Sequence, residues 1–72
     1  MTTVNPYFVT IRNLRTIRLN HKITQGRIAK KAGIPLRRLR DIENGNEVPD
    51  LMTVRQIALA LQLDITVQFH QI

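Results

Sequence analysis

The 72-residue sequence predicts a mainly α-helical domain of four to five helices that ends in a short β-strand. Aliphatic residues recur at intervals of three and four, which is the spacing of a buried helix face. Glycine and asparagine lie between these segments, and these residues are typical of helix ends. Over residues 63–70, apolar and polar residues alternate instead, which is typical of a half-buried strand. The length favours a single domain covering residues 1–72.

The first helix is expected over residues 6–20. Asn5 can cap it, and Pro6 suits the first helical position because an N–H there would lack a helical partner anyway. The apolar residues that follow at helical spacing are Phe8, Ile11, Leu14 and Ile17. Asn20, His21 and Lys22 are expected to end this helix.

The second and third helices are expected between residues 24 and 45. Thr24 can cap the second helix, and Gly33 can end it because glycine adopts the left-handed conformation readily. Pro35 marks the start of the third helix and Gly45 its end. The apolar face shared by the two helices is Ile28, Ala29, Ala32, Leu39 and Ile42.

Asp50 can cap a fourth helix, and the alternating tail follows it. The inner face of this helix is expected to carry Leu51, Val54, Ile57, Ala58 and Leu61. A lone strand at 63–70 would expose a row of unpaired backbone groups. We therefore expect two copies of the chain to pair through it, and the alternative is a tail that packs on its own chain. The residues expected to form the dimer contact are Met52, Leu59, Ile65, Val67 and Phe69.

Charge is distributed very unevenly along the chain. The net charge is +6, with ten lysines and arginines and no acid in residues 1–40. Such a basic half predicts an anionic partner, with nucleic acid favoured over a membrane surface. The alternative is a solvated basic face that only keeps the protein soluble.

Several functional classes lack support in the sequence. There is no cysteine, and His21 and His70 are isolated, so we expect no disulfide, metal site or cofactor. No nucleophile with a neighbouring base is evident, so we do not expect an enzyme. The sequence shows no signal peptide and no apolar run of about 20 residues, so a cytoplasmic protein with no membrane partner is expected.

Residues 24–45 form a helix-turn-helix pattern, in which two short helices flank a glycine turn and the second is basic. This segment resembles the helix-turn-helix domain of the phage Cro and C1 repressors and their bacterial relatives, the XRE-like family with the lambda-repressor-like fold. The resemblance covers roughly residues 11–63. The residues that carry it are Ile17-Arg18, Thr24-Gln25, Ile28-Ala29, Ala32-Gly33-Ile34, Leu39, Ile42, Glu43-Asn44-Gly45, Pro49 and Ile57-Ala58-Leu59-Ala60-Leu61.

Four residues depart from the family pattern. Lys22 and Gln62 stand where the family usually has glycine after a helix. Arg27 replaces the acid that would complete a capping box with Thr24. Gly26 lies early in the second helix, where it weakens the helix or lets the backbone approach DNA closely.

The resemblance implies binding to double-stranded DNA, with the third helix in the major groove. The implied base-reading positions are Leu36, Arg37, Arg38 and Asp41. Arg37 is suited to contact guanine, and Arg38 could bind a phosphate instead of a base. The alternative for Leu36 is packing in the core. The implied phosphate-binding positions are Gln25, Arg27, Lys30, Arg40 and Asn44. In similar domains, the positions of Arg18 and Glu43 form a partly buried ion pair.

These roles together indicate a dimeric repressor that occupies a palindromic operator at its own promoter. The alternative is an antitoxin or adaptor, which binds a partner protein such as a toxin and represses its own operon. RNA binding is less favoured, because the sequence has only three aromatic residues for base stacking.

Overall fold

The chain folds into four α-helices in a computed structural model, which describes the backbone of residues 6–70 and the side chains of residues 10–67. Helix α1 spans Pro6–Asn20, α2 spans Gln25–Ala32, α3 spans Leu36–Glu43 and α4 spans Leu51–His70. The helical boundaries predicted for α1, α2 and α3 are thereby confirmed. None of the helices in the described range is long and apolar enough to cross a membrane.

The predicted C-terminal strand is wrong, because residues 63–70 continue helix α4 without a break. Within a helix, Leu61, Asp64 and Ile65 share a face, and this face lies against the protein body. An isolated strand would leave its backbone groups unpaired, whereas a helix satisfies them within the segment. The described residues therefore support neither strand pairing between two copies nor packing of a strand as a tail. The side chain of Phe69 lies outside the described residues.

The turn between α2 and α3 is formed as its sequence predicts. The Thr24 hydroxyl accepts a hydrogen bond from the Arg27 backbone N–H at 3.2 Å, which caps the start of α2. Gly33 ends the helix with φ at 73°, in the left-handed region. The N–H of Ile34 donates to the Ala29 carbonyl at 3.0 Å. This bond closes the helix end and turns the chain sharply into α3.

The start of α4 is also capped as expected. The Asp50 carboxylate accepts from the Thr53 backbone N–H at 2.9 Å. Hydrogen bonds with Thr53, through its side chain and its backbone, hold the pKa of Asp50 below its ordinary value. The inner face of the helix differs from the prediction at its first turn and at Ala58, which is only half-buried. Leu51 is exposed, and the buried face consists of Thr53, Val54, Ile57, Ala60, Leu61 and Asp64.

Lys22 adopts a backbone conformation that is unusual for a residue other than glycine. Its φ is 57°, and the following Ile23 N–H donates to the Arg18 carbonyl at 3.0 Å. This is the helix ending that normally places glycine at the left-handed position. Lys22, which stands where the family usually has glycine, is therefore strained. The left-handed conformation costs a residue with a side chain about 1–2 kcal/mol.

The hydrophobic core joins all four helices. Leu39 of α3 is fully buried, and Ile28 of α2 and Ile42 of α3 are nearly so. The remaining core residues are Ile11, Ile23, Ala29, Ala32, Ile34, Val54, Ile57, Ala60 and Leu61. Because α2 and α3 both pack on this core through their predicted apolar faces, their polar faces are turned outward.

Candidate nucleic-acid interface

The outer face of α3 carries two exposed arginines. Arg37 and Arg40 are exposed, and neither has an ion-pair partner among the described residues. Between them, Leu39 is fully buried, so the rotation of the helix about its axis is fixed. The two guanidinium groups are thus presented to solvent by a helix that is held rigidly from behind.

The other positions expected to read bases are less accessible. Asp41 is half-buried, and its backbone carbonyl accepts from Asn46 at 2.8 Å and Glu47 at 3.2 Å. Leu36 is also half-buried and packs against the edge of the core, which is the alternative to base contact expected from the sequence.

Arg38 is held by the protein's own side chains. Its Nε donates to Glu47 Oε2 at 2.9 Å, and its Nη2 donates to Thr53 Oγ1 at 3.2 Å. These bonds tie α3 to the loop before α4 and to the first turn of α4. An Arg38 contact with DNA would require these bonds to exchange for new ones.

The expected phosphate-binding residues fall into two groups. Lys30, Arg40 and Asn44 are exposed and carry no side-chain hydrogen bond within the described part of the chain. Gln25 is half-buried, and its Nε2 donates to Glu43 Oε1 at 2.9 Å. Arg27 is exposed, but its guanidinium is directed at α4, where Nη2 lies 2.7 Å from Asp64 Oδ1.

A buried ion pair joins α1 to the end of α3, at the positions where the sequence places it. Arg18 donates from Nε to Glu43 Oε2 at 2.9 Å and from Nη2 to Oε1 at 2.7 Å. Its Nη1 donates to the Ile23 carbonyl at 2.8 Å. The side chains are only 8% and 5% exposed. Since Glu43 Oε1 also accepts from Gln25, this pair fixes the Gln25 side chain at the start of α2.

A second buried carboxylate, Asp64, was not singled out from the sequence. It is fully buried, and Lys31 Nζ lies 2.9 Å from the same Oδ1 atom that contacts Arg27. Burial raises the pKa of Asp64, but hydrogen bonds and charge from Lys31 and Arg27 outweigh this and hold that pKa below its ordinary value. The one sign of this contact in the sequence is Arg27, a basic residue where an acid would complete the capping box with Thr24.

The residues expected at a dimer contact are distributed around α4. Met52, Leu59 and Val67 are exposed, whereas Ile65 is half-buried against the core. Among the described residues there is also no group of three or more histidines and carboxylates that could hold a metal ion.

Comparison with protein families agrees with this geometry. A family described as helix-turn-helix matches residues 14–68, well over half of the chain. The chain belongs to this family, of the Cro/C1 type, and the resemblance inferred from the sequence is confirmed. Membership supports the broader class, a DNA-binding regulator of transcription. Searches of curated proteins and of solved structures find no significant match.

Proposed function

We propose that the protein is a sequence-specific repressor that binds double-stranded DNA as a homodimer and acts by occupying its operator. The observation that carries this proposal is the outer face of α3. Arg37 and Arg40 stand exposed on a helix whose opposite face is locked into the core through Leu39 and Ile42. An α-helix with this presentation fits the width of the major groove.

Direct base reading rests on Arg37 in this proposal. Its exposed guanidinium can donate two parallel hydrogen bonds to guanine O6 and N7, worth about 1–3 kcal/mol of discrimination. Asp41 lies one turn further along α3 and either accepts from a cytosine amine or orients Arg37. Leu36 contacts a thymine methyl with the part of its side chain that the core leaves uncovered. Arg38 can join them only by leaving Glu47.

Phosphate contacts would surround α3 and hold it in register. Lys30, Arg40 and Asn44 are free to reach phosphate oxygens, and Arg27 can add to the positive field. Gln25 occupies the first residue of α2, where the helix dipole favours an anion. Its Nε2 donates one hydrogen to Glu43, and its second hydrogen remains for a phosphate oxygen.

Dimerisation and operator occupancy complete the proposal. One helix-turn-helix reads only a few base pairs, so useful specificity needs two of them about 34 Å apart on one face of the DNA. Occupancy of a palindromic site in its own promoter would then block transcription. The protein would act in the cytoplasm of a bacterium, encoded by the host or by a phage.

A second candidate function is an antitoxin or adaptor that binds another protein and represses its own operon. It is favoured by the exposed apolar residues of α4, since Leu59 is 49% and Leu63 is 60% exposed. A toxin-like reading frame beside the gene would support this alternative.

Selection of bound sequences from a random pool of duplex DNA tests the proposal. We expect a palindromic consensus whose enrichment falls steeply with salt, because phosphate contacts release counterions. Arg37→Ala should lose preference at one position of each half-site, whereas Lys30→Ala should weaken binding evenly across sequences. Failure of the wild-type protein to enrich any duplex sequence would contradict sequence-specific binding.

A further inference from the structure

An apolar groove runs between α1 and the second half of α4. It encloses about 350 Å³ and is lined mainly by aliphatic side chains. Leu14 and Ile17 form its α1 wall, and Ala58, Leu61 and Ile65 form its α4 wall. The groove contains none of the residues assigned above to DNA binding.

The α4 side of the groove carries no exposed charge. From Gln56 to Val67, the only ionisable side chain is Asp64, and it is fully buried beneath Arg27 and Lys31. The exposed part of this helix segment is therefore uncharged, although the chain as a whole carries +6. Two copies of so basic a protein repel each other where their basic faces meet, so an uncharged helix segment favours close approach.

Next to the groove, α4 also presents an apolar ridge. Leu59, Leu63 and Val67 follow one another at intervals of four residues and are 49%, 60% and 41% exposed. Such a row forms a ridge on the helix surface that can pack into the groove of another helix pair. One helix therefore supplies both the wall of an apolar groove and an apolar ridge.

We propose that a second copy of this chain is the occupant of the groove. The ridge Leu59–Leu63–Val67 of each copy packs into the α1–α4 groove of the other, around a two-fold axis. A two-fold contact requires one surface that complements itself, and a ridge beside a groove of similar chemistry meets this requirement. The inference deepens the proposed function, since it assigns the contact that joins the two DNA-reading units.

Sedimentation of the full chain in the absence of DNA tests the interface, with Leu63→Glu as the variant. Leu51→Glu is the matched control, because Leu51 lies on the same helix and is 62% exposed against 60% for Leu63. We expect the wild type and Leu51→Glu to be dimers in the micromolar range, and Leu63→Glu to dissociate at least about tenfold more readily, because dimerisation would bury its new charge. Circular dichroism should show all three folded, since both sites are exposed.

Cross-linking tests the ridge-into-groove arrangement itself, because the chain has no cysteine. Chains with Ile17→Cys are mixed with chains carrying either Leu63→Cys or Leu51→Cys and then oxidised. The proposal predicts a mixed disulfide of Ile17→Cys with Leu63→Cys that clearly exceeds the one with Leu51→Cys.

A wild-type monomer in the micromolar range, an unaffected Leu63→Glu dimer, or equal cross-linking of the two pairs would each overturn the interface. These outcomes differ from a failure of the proposed function. A monomer that still binds duplex DNA would overturn the interface and the homodimer but leave the DNA-binding role standing, and a dimer that binds no DNA would overturn only the regulatory role.

Discussion

The buried pair of Arg18 and Glu43 makes Glu43→Gln the most informative stability variant. The substitution keeps the shape of the side chain but removes the negative charge that faces a guanidinium only 8% exposed. The Ile23 carbonyl remains as the neutral acceptor of Arg18. Breaking one partner of a buried pair costs about 3–5 kcal/mol, because the other charge is left without compensation.

This loss is large for a domain of 72 residues. Domains of this size have unfolding free energies of about 4–11 kcal/mol. A loss of 3 kcal/mol lowers Tm by roughly 12–24 °C in a domain of 60–100 residues. Calorimetry and urea denaturation at neutral pH would measure the two quantities independently.

The pair of Arg38 and Glu47 provides the matched control. It has the same chemistry and a similar distance of 2.9 Å, but its side chains are 38% and 35% exposed. An exposed pair contributes about 0–1 kcal/mol, so Glu47→Gln should lower Tm by only a few degrees. Equal losses in the two variants, or a loss below about 1 kcal/mol for Glu43→Gln, would refute the reasoning from burial.

Three further predictions concern the backbone and the second buried carboxylate. Lys22→Gly should raise the unfolding free energy by about 0.5–1 kcal/mol by relieving the left-handed conformation, and Lys22→Ala, which keeps the strain, should not. Gly26→Ala should raise it by a similar amount, because a Cβ there meets nothing within 4 Å, and loss of DNA affinity in this stabilised variant would indicate close backbone approach to the phosphates. The lowered pKa of Asp64 stabilises the fold above the unfolded pKa of about 3.9, and this contribution disappears as pH falls through the folded pKa below it. Asp64→Asn should therefore have a lower unfolding free energy than the wild type at neutral pH, and this difference in unfolding free energy should shrink below pH about 4. Acid titrations followed by circular dichroism would measure it, and a difference that does not change with pH would contradict this role of Asp64.

The local features of the fold could be predicted because they depend on single residues. Thr24 and Asp50 cap helices through their own side chains, and Gly33 ends α2 through its own backbone freedom. None of these features requires knowledge of a distant residue. The spacing of Leu39 and Ile42 likewise fixed which face of α3 is exposed.

The tail could not be predicted in the same way. Its alternation of apolar and polar residues fits a strand as well as it fits a helix with one buried polar residue. The choice between them depends on Asp64, whose partners Arg27 and Lys31 lie on α2, more than thirty residues earlier in the sequence. A local pattern assigns aspartate to solvent and contains no sign of this tertiary contact.

In the candidate site, too, some features follow from the local sequence and others depend on distant residues. Exposure of Arg37 and Arg40 follows from the period of their own helix. The partners of Arg38 do not, because Glu47 and Thr53 are brought to it by the loop before α4 and by the first turn of α4. Sequence spacing could place the arginines on the outer surface but could not tell which of them the protein itself would bind.

The central claim is that the exposed face of α3 reads bases, and a comparison of Arg37→Ala with Arg55→Ala tests it most directly. Both variants remove one exposed arginine, but Arg55 lies on α4, outside the helix-turn-helix. Binding to the selected operator and to single-base variants of it would be measured at fixed salt. We predict that Arg37→Ala reduces discrimination at one base pair by about fivefold to more than a hundredfold, whereas Arg55→Ala leaves it unchanged. Unchanged discrimination in Arg37→Ala, or the same loss in both variants, would contradict the claim.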